Sequence, residues 1–390
     1  MTNIIGIDDF GISDTELRKQ VAELKTLIEA MNAKLDKLIT DVGNIKNNQG
    51  SGGGSGGGST PGSGTILNPD ESGAYIVDDF SSGSLDNNKW THEKGYVRNN
   101  ETQRYTDDGA NSYISDNMLV IKAIKASDGS WTSASVISHG RFAFMYGRIE
   151  ARIKFCNYNG SFPAFWTLGD SFEFGYKDWS APDTLGEDWA WCGELDICEF
   201  YGGRFTAGIF VNANEGQGRV YCPEIDTNQW HVFAMEWKED GSLYFFMDDK
   251  MVTSTGATDN TALHIPHYIL LNQAVGSSGG TPDAGTTEMV TYVDYVKYYP
   301  LSSENIKQNS EDFELVPSNF NWNKCDIRVK FNDNCLNKAI IWSSSNESVI
   351  SVHAGHCVGH GTGSAIITGR SFSGVTKSVE LKVNNDQLSQ

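Results

Sequence analysis

None of the apolar runs in the 390 residues reaches the roughly 20 residues needed to cross a bilayer, so membrane insertion is not expected. The first residues, Met1-Thr2-Asn3-Ile4-Ile5-Gly6-Ile7-Asp8-Asp9, lack the basic start and apolar centre of a signal peptide. A place of action outside the cell would then be reached on a virion or by a non-classical route. Basic residues are scarce, 30 against 50 acidic ones, for a net charge of -20. That balance excludes nucleic acid and anionic membrane as partners and disfavours a sulfated or uronate polymer. The seven cysteines, at 156, 192, 198, 222, 325, 335 and 357, are odd in number and show no C-x-x-C pair, so no disulfide framework or zinc site is implied. Cys325 and Cys335 are a candidate bridge, but free buried thiols are the commoner outcome. His139, His231, His264 and His267 show no metal-binding spacing, and His353, His356 and His360 read as turn residues. No catalytic cofactor is expected.

What is present is ample material for packed cores, 39% hydrophobic and 11% aromatic. Residues 1–49 form the first region. Ser13-Asp14-Thr15-Glu16 is a capping box, and Leu17, Val21, Leu24, Ile28, Met31, Leu35, Leu38, Val42 and Ile45 follow at alternating spacings of four and three. This predicts a coiled-coil stalk that makes a homo-oligomer through residues 17–45. β-Branched a positions favour a dimer, whereas Leu27 and Ile39 widen the stripe and favour a trimer, the preferred reading. Residues 50–65 are Gly/Ser-rich, a flexible tether with an r.m.s. span of roughly 20 Å.

Residues 66–301 carry short alternating runs and turn residues but no convincing helical period. From Tyr146 to Phe155, Ile149, Ala151, Ile153 and Phe155 alternate with Arg148, Glu150, Arg152 and Lys154, as in a half-buried strand. An all-β sandwich is expected. Within it Trp191-Cys192-Gly193-Glu194-Leu195-Asp196-Ile197-Cys198-Glu199-Phe200 sets three acids among residues suited to burial. Strand alternation puts Glu194 and Asp196 on one face and Leu195 and Ile197 on the other. Glu199 breaks the period unless one extra residue, for which Cys198 is the candidate, forms a β-bulge and returns it to the acid face. Acids so gathered push one another's pKa values apart. Retaining glycoside hydrolysis needs such a set, an ionised nucleophile and a protonated acid about 5 to 5.5 Å apart. Glu194 suits the nucleophile, Glu199 the acid/base and Asp196 the assisting carboxylate.

This run resembles the bulged catalytic strand of glycoside hydrolase family 16, as found in its β-1,3-glucanases. Other segments agree in order: Asp78-Asp79-Phe80 with Leu85 to Trp90, Asn99 to Thr106, Tyr146 to Lys154, Gly160 to Gly169, Tyr268 to Gly276, and Val293 to Val296. The resemblance implies a β-jelly roll with a substrate-binding sheet and an endo-acting, retaining hydrolase of β-1,3- or β-1,3(4)-glucan. An agarose-type galactan or mixed-linkage glucan is the alternative substrate, and a phage tail-associated glycan-binding appendage the alternative role. A neutral β-glucan is the expected partner, with Asn99, Glu101, Trp166 and Trp191 as cleft residues, since sugar rings stack on aromatics. The same resemblance implies a structural calcium held by the Asp294 carboxylate and the main-chain carbonyls of Asp79 and Asn117. Three positions depart from the family pattern: Ser135 stands where Arg is frequent, Phe162 where Trp is usual, and Gly208 to Asn212 lacks a frequent His. Residues 310–386, with Ile340 to Val352 and Gly361 to Thr368, resemble a bacterial Ig-like domain of group 2, read as a spacer or weak glycan adhesin.

Overall fold

The computed structural model describes residues 75–172, 189–211, 218–301, 312–332, 335–385 and 387–390. The expected coiled coil and tether lie outside the described residues. No α-helix occurs among those described, only short 3-10 turns at Thr261–Leu263 and Ser277–Gly279. From Tyr75 to Tyr299 the strands form two sheets, of ten and eight strands. The eight-stranded sheet runs Gly218–Glu224, Arg204–Phe210, Glu194–Tyr201, Ser161–Gly169, His267–Val275, Ser135–Ile137, Thr91–His92, with Ala143–Phe144 also paired to His267–Val275. In the ten-stranded sheet Gly147–Lys154 lies between His231–Trp237 and Glu288–Tyr299.

The two sheets bury one core. Leu195, Ile197, Cys198 and Phe200 from the smaller sheet join Ile149, Ala151, Ile153, Phe233 and Met235 from the larger. Each such side chain contributes about 1.5–3 kcal/mol when fully buried. A slip of one residue in register would therefore drive carboxylates into that core, so the register is strongly specified. The outer face of Gly147–Lys154 departs from a simple polar exterior, because Arg148 and Glu150 are buried. Arg148 donates to Glu150 Oε2 (3.0 Å), Glu236 Oε1 (3.4 Å) and Asp249 Oδ1 (2.9 Å), which satisfies charges that burial would otherwise penalise. The Asp78 to Trp90 segment closes on itself: Asp78 accepts the Phe80 amide (2.9 Å) and the Trp90 indole N–H (2.8 Å).

Residues 312–390 form a smaller sandwich of two four-stranded sheets, one beginning with Phe313–Asn321 and Lys324–Phe331, the other built around Gly363–Ser371 and Thr376–Asn384. Its own core holds Cys325, Ile327, Ile350, Cys357, Ile367, Leu381 and Val383. Gln387–Ser389 pairs with Thr376–Asn384 and carries the sandwich past residue 386, the expected boundary. Cys325 lies opposite Cys357 in the sheet, and the Cys335 thiol donates to the Asn337 carbonyl at 3.0 Å. Cys325 and Cys335 form no disulfide. His353 and His356 are the strand residues that bound a turn. They end the strands Ile350–His353 and His356–Gly359, flanking Ala354 and Gly355, whose φ values of 47° and 91° make the turn.

The small sandwich is fastened to the large one rather than loosely appended. Ala143 N–H donates to Asn337 Oδ1 (3.3 Å), Asn337 Nδ2 donates to the Arg141 carbonyl (2.7 Å), and Lys338 N–H donates to the Ala143 carbonyl (2.9 Å). One buried amide thus replaces a missing strand neighbour at the edge of Ala143–Phe144. Asn337→Ala leaves these backbone groups unsatisfied and is expected to cost about 1–3 kcal/mol in urea unfolding. Unchanged stability would contradict this docking.

Candidate active site

The acid strand, Glu194–Tyr201, is bulged where two consecutive apolar residues both turn into the core. Against Ser161–Gly169 the pairing jumps from Trp166–Asp196 to Phe165–Cys198, and against Arg204–Phe210 from Asp196–Gly208 to Glu199–Thr206. The bulge is the pair Ile197–Cys198 rather than Cys198 alone. It restores Glu199 to the face of Glu194 and Asp196, and all three line one cleft of about 600 Å³. Phe162, Ala164 and Trp166 reach the same cleft from the next strand at alternate positions.

Burial dominates the electrostatics of the acids. It pushes Glu194 up to about 7, opposed first by the Trp189 indole N–H, which donates to Glu194 Oε2 at 2.7 Å. Asp196 stands well above the usual carboxylate range, through burial and then the neighbouring Glu199 and Glu194 charges. Its Oδ2 has no hydrogen-bond partner, and a Cβ on Gly208 would approach it to 2.3 Å. Only glycine fits there. Glu199 is also raised by burial, but Arg219 pulls it back: Nε donates to Oε2 (2.6 Å) and Nη2 to Oε1 (3.0 Å). Thr206 adds a hydroxyl donor to Oε2 at 3.2 Å. Burial, not the neighbouring acids, is therefore the main cause of the upward shift at Glu199.

The other sequence candidates divide. Asn99, exposed and at φ 55°, lines the cleft. Glu101 also lines it but is tied inward, accepting from Gln103 Nε2 (2.7 Å) and the Tyr105 hydroxyl (3.2 Å). Trp166 is not the open platform expected. It is 5% exposed, donates to Asn272 Oδ1 (2.7 Å), and carries the Arg98 guanidinium 4.9 Å above its ring. Arg98 is held there by its ion pair with Glu93. Trp191 is 48% exposed, yet Trp189, 50% exposed and beside Phe210, is the tryptophan among the cleft-lining residues that touches an acid.

Sequence reasoning missed Trp189, Arg98, Arg219 and Gly208. Gly208, a glycine inside a strand, carried a signal of close approach. Trp189 stands in a turn, outside the periodic part of the acid strand, and had no such signal. Arg98 and Arg219 come from outside the acid strand and had no local signal.

Asp294 lies far along another sheet, on Glu288–Tyr299. One edge of that strand is taken by Met118–Lys125 up to Val293 and by Tyr75–Asp78 from Val296. Asp294 falls in the gap between, where Asp79 and Asn117 end the two neighbours. Its Oδ2 accepts from Arg152 Nη1 at 2.7 Å.

The family model for glycosyl hydrolases family 16 matches residues 96–297, more than half of the chain. The glucan endo-1,3-beta-glucosidase A1 of Niallia circulans is 29% identical over 280 residues, covering 60% of this chain and 39% of that protein. The keratan-sulfate endo-1,4-beta-galactosidase of Sphingobacterium multivorum is 29% identical over 245 residues, with coverages of 57% and 54%. The chain thus spans about half the length, or less, of these curated relatives. A LamA variant from Zobellia galactanivorans, solved with laminaritriose and laminaritetraose, superposes with a TM-score of 0.51 at 32% identity, over 58% of this chain and 99% of that one.

Proposed function

Because the chain belongs to glycosyl hydrolases family 16, we propose that its cleft hydrolyses a neutral β-1,3- or β-1,3(4)-glucan, endo-acting and with retention. The observation that carries this reading is the convergence of Glu194, Asp196 and Glu199 on one bulged strand face inside a cleft. Likeness to a LamA variant solved with laminaritriose and laminaritetraose supports the substrate class. In the first step Glu194 attacks the anomeric carbon while Glu199 gives its proton to the departing glycosidic oxygen. In the second, Glu199 takes a proton from water as that water attacks the anomeric carbon and releases Glu194. The Trp189 indole orients the nucleophile. Asp196, raised and seated in the space that Gly208 leaves for it, can hold a proton beside the two glutamates and so keeps the face from holding three charges. The galactosidase relative keeps a galactan in the substrate panel.

For the calcium that the sequence resemblance implies, the gap beside Asp294 is the candidate position, where the carboxylate with the main-chain carbonyls of Asp79 and Asn117 would make an all-oxygen donor set. Arg152 occupies one carboxylate oxygen and leaves Oδ1 for the cation. Calcium there would tie three strands and take no part in the chemistry. Calcium is expected to raise the melting temperature of the wild type and not of Asp294→Ala; an equal rise in both would remove the site.

Glu194→Gln keeps the volume but cannot form a glycosyl ester, so turnover on laminarin is expected to fall at least about 10³-fold with circular dichroism unchanged. Glu199→Ala is expected to lose polysaccharide hydrolysis but to keep glycosylation by activated aryl glycosides, with azide restoring turnover as a β-glycosyl azide. Equal loss on both substrates without azide rescue would take the acid/base role from Glu199.

A further inference from the structure

Arg219 lies on Gly218–Glu224, the outermost strand of the eight-stranded sheet, and its side chain is 33% exposed. Its guanidinium occupies both oxygens of Glu199 and also donates to Ser278 Oγ at 3.4 Å, so it links the sheet edge to the Ser277–Gly279 turn across the acid. The guanidinium carbon stands over the Phe162 ring, 5.9 Å from the centroid. Held by two guanidinium bonds and the Thr206 hydroxyl, Glu199 is kept in its ionised form, and an ionised carboxylate has no proton to give to a glycosidic bond. The arrangement seen is therefore a resting one, which turnover must open.

We propose that Arg219 is a positioning residue that latches Glu199 as a carboxylate in the free enzyme and is moved aside when a glycan enters the cleft. The proposal rests on the acid/base role given to Glu199. The proton has a defined source: Asp196 shares a hydrogen bond with Glu199 and holds its own proton far above the usual range. When the guanidinium leaves, the Asp196 O–H proton passes to Glu199 Oε, and the charge it leaves on Asp196 faces the Glu194 carboxylate, which is consumed as nucleophile. The groups facing Glu199 are Asp196 and Glu194 on its own strand, the Thr206 hydroxyl on Arg204–Phe210, and Arg219 on Gly218–Glu224. From Ser161–Gly169 the facing residue is Ala164, which carries no charge. Among the described residues Arg219 is thus the cation that directly contacts the acid, and it sits on the outermost strand of its sheet.

The latch makes the alkaline limit depend on occupancy. In the free enzyme Arg219 favours the ionised form, and in the complex it no longer does, so the basic limb of kcat should lie above that of kcat/KM. In Arg219→Gln the basic limb of kcat/KM should rise by about one pH unit or more, the size expected on losing an adjacent opposite charge. Arg219→Lys, with one point charge in place of the fork, should fall between. A carboxyl 13C NMR titration, with Glu199 assigned through Glu199→Gln, reads the same shift without turnover. Coincident wild-type and Arg219→Gln limbs, or an unmoved Glu199 resonance, would overturn the latch. Wild type that leaves laminarin intact while the resonance still moves in Arg219→Gln would instead overturn the hydrolase reading and keep the ion pair as a latch on this acid.

Discussion

Ile197 and Cys198 are consecutive, and both are drawn into the same core. A strand can satisfy that demand only by bulging, because its side chains otherwise alternate. The core therefore decides the chemistry: the bulge that buries both residues also returns Glu199 to the face of Glu194 and Asp196. The apolar partners behind the bulge, from Ile149, Ala151 and Ile153 to Phe233 and Met235, hold it in register. A hydrophobic constraint thus keeps three acids closer than their charges would choose.

The consequences of that crowding run through the rest of the cleft. Buried carboxylates need donors or protons, and the structure supplies each in a different form. Glu194 receives an indole N–H, Glu199 a guanidinium fork, and Asp196, raised by burial, takes the space that the missing side chain of Gly208 leaves. Arg98 meets a similar demand on the cleft wall, where its pairing with Glu93 places a cation over Trp166 and closes a surface that a sugar would otherwise meet. Three acids of the same type on one strand thus acquire three environments, the usual route by which identical groups take separate roles.

Much of this was legible in the chain because it is local. The alternation of Ile149, Ala151 and Ile153, and the broken period at Glu199, each depend on neighbours along the strand, so the sandwich, the acid face and the bulge could be read directly. Arg219 and Arg98 were not, since they reach the acids from other strands and loops and nothing in their own segments marks them. Trp166 misled for the same reason: its motif places it in the cleft, but the guanidinium covering it comes from a distant turn. Asn337 is a third case. A single amide in an irregular segment gives no periodic signal, yet it joins the two sandwiches.

The central claim is that the bulged strand presents Glu194 as a nucleophile. A 2-deoxy-2-fluoro-laminaribiosyl fluoride slows release of a glycosyl-enzyme, and peptide mapping of the inactivated protein locates the new bond. The account predicts one added fluoroglycosyl group, an ester on Glu194, that slowly hydrolyses to restore activity. A label on Glu199 or elsewhere, or steady hydrolysis with inversion and no adduct, would contradict it.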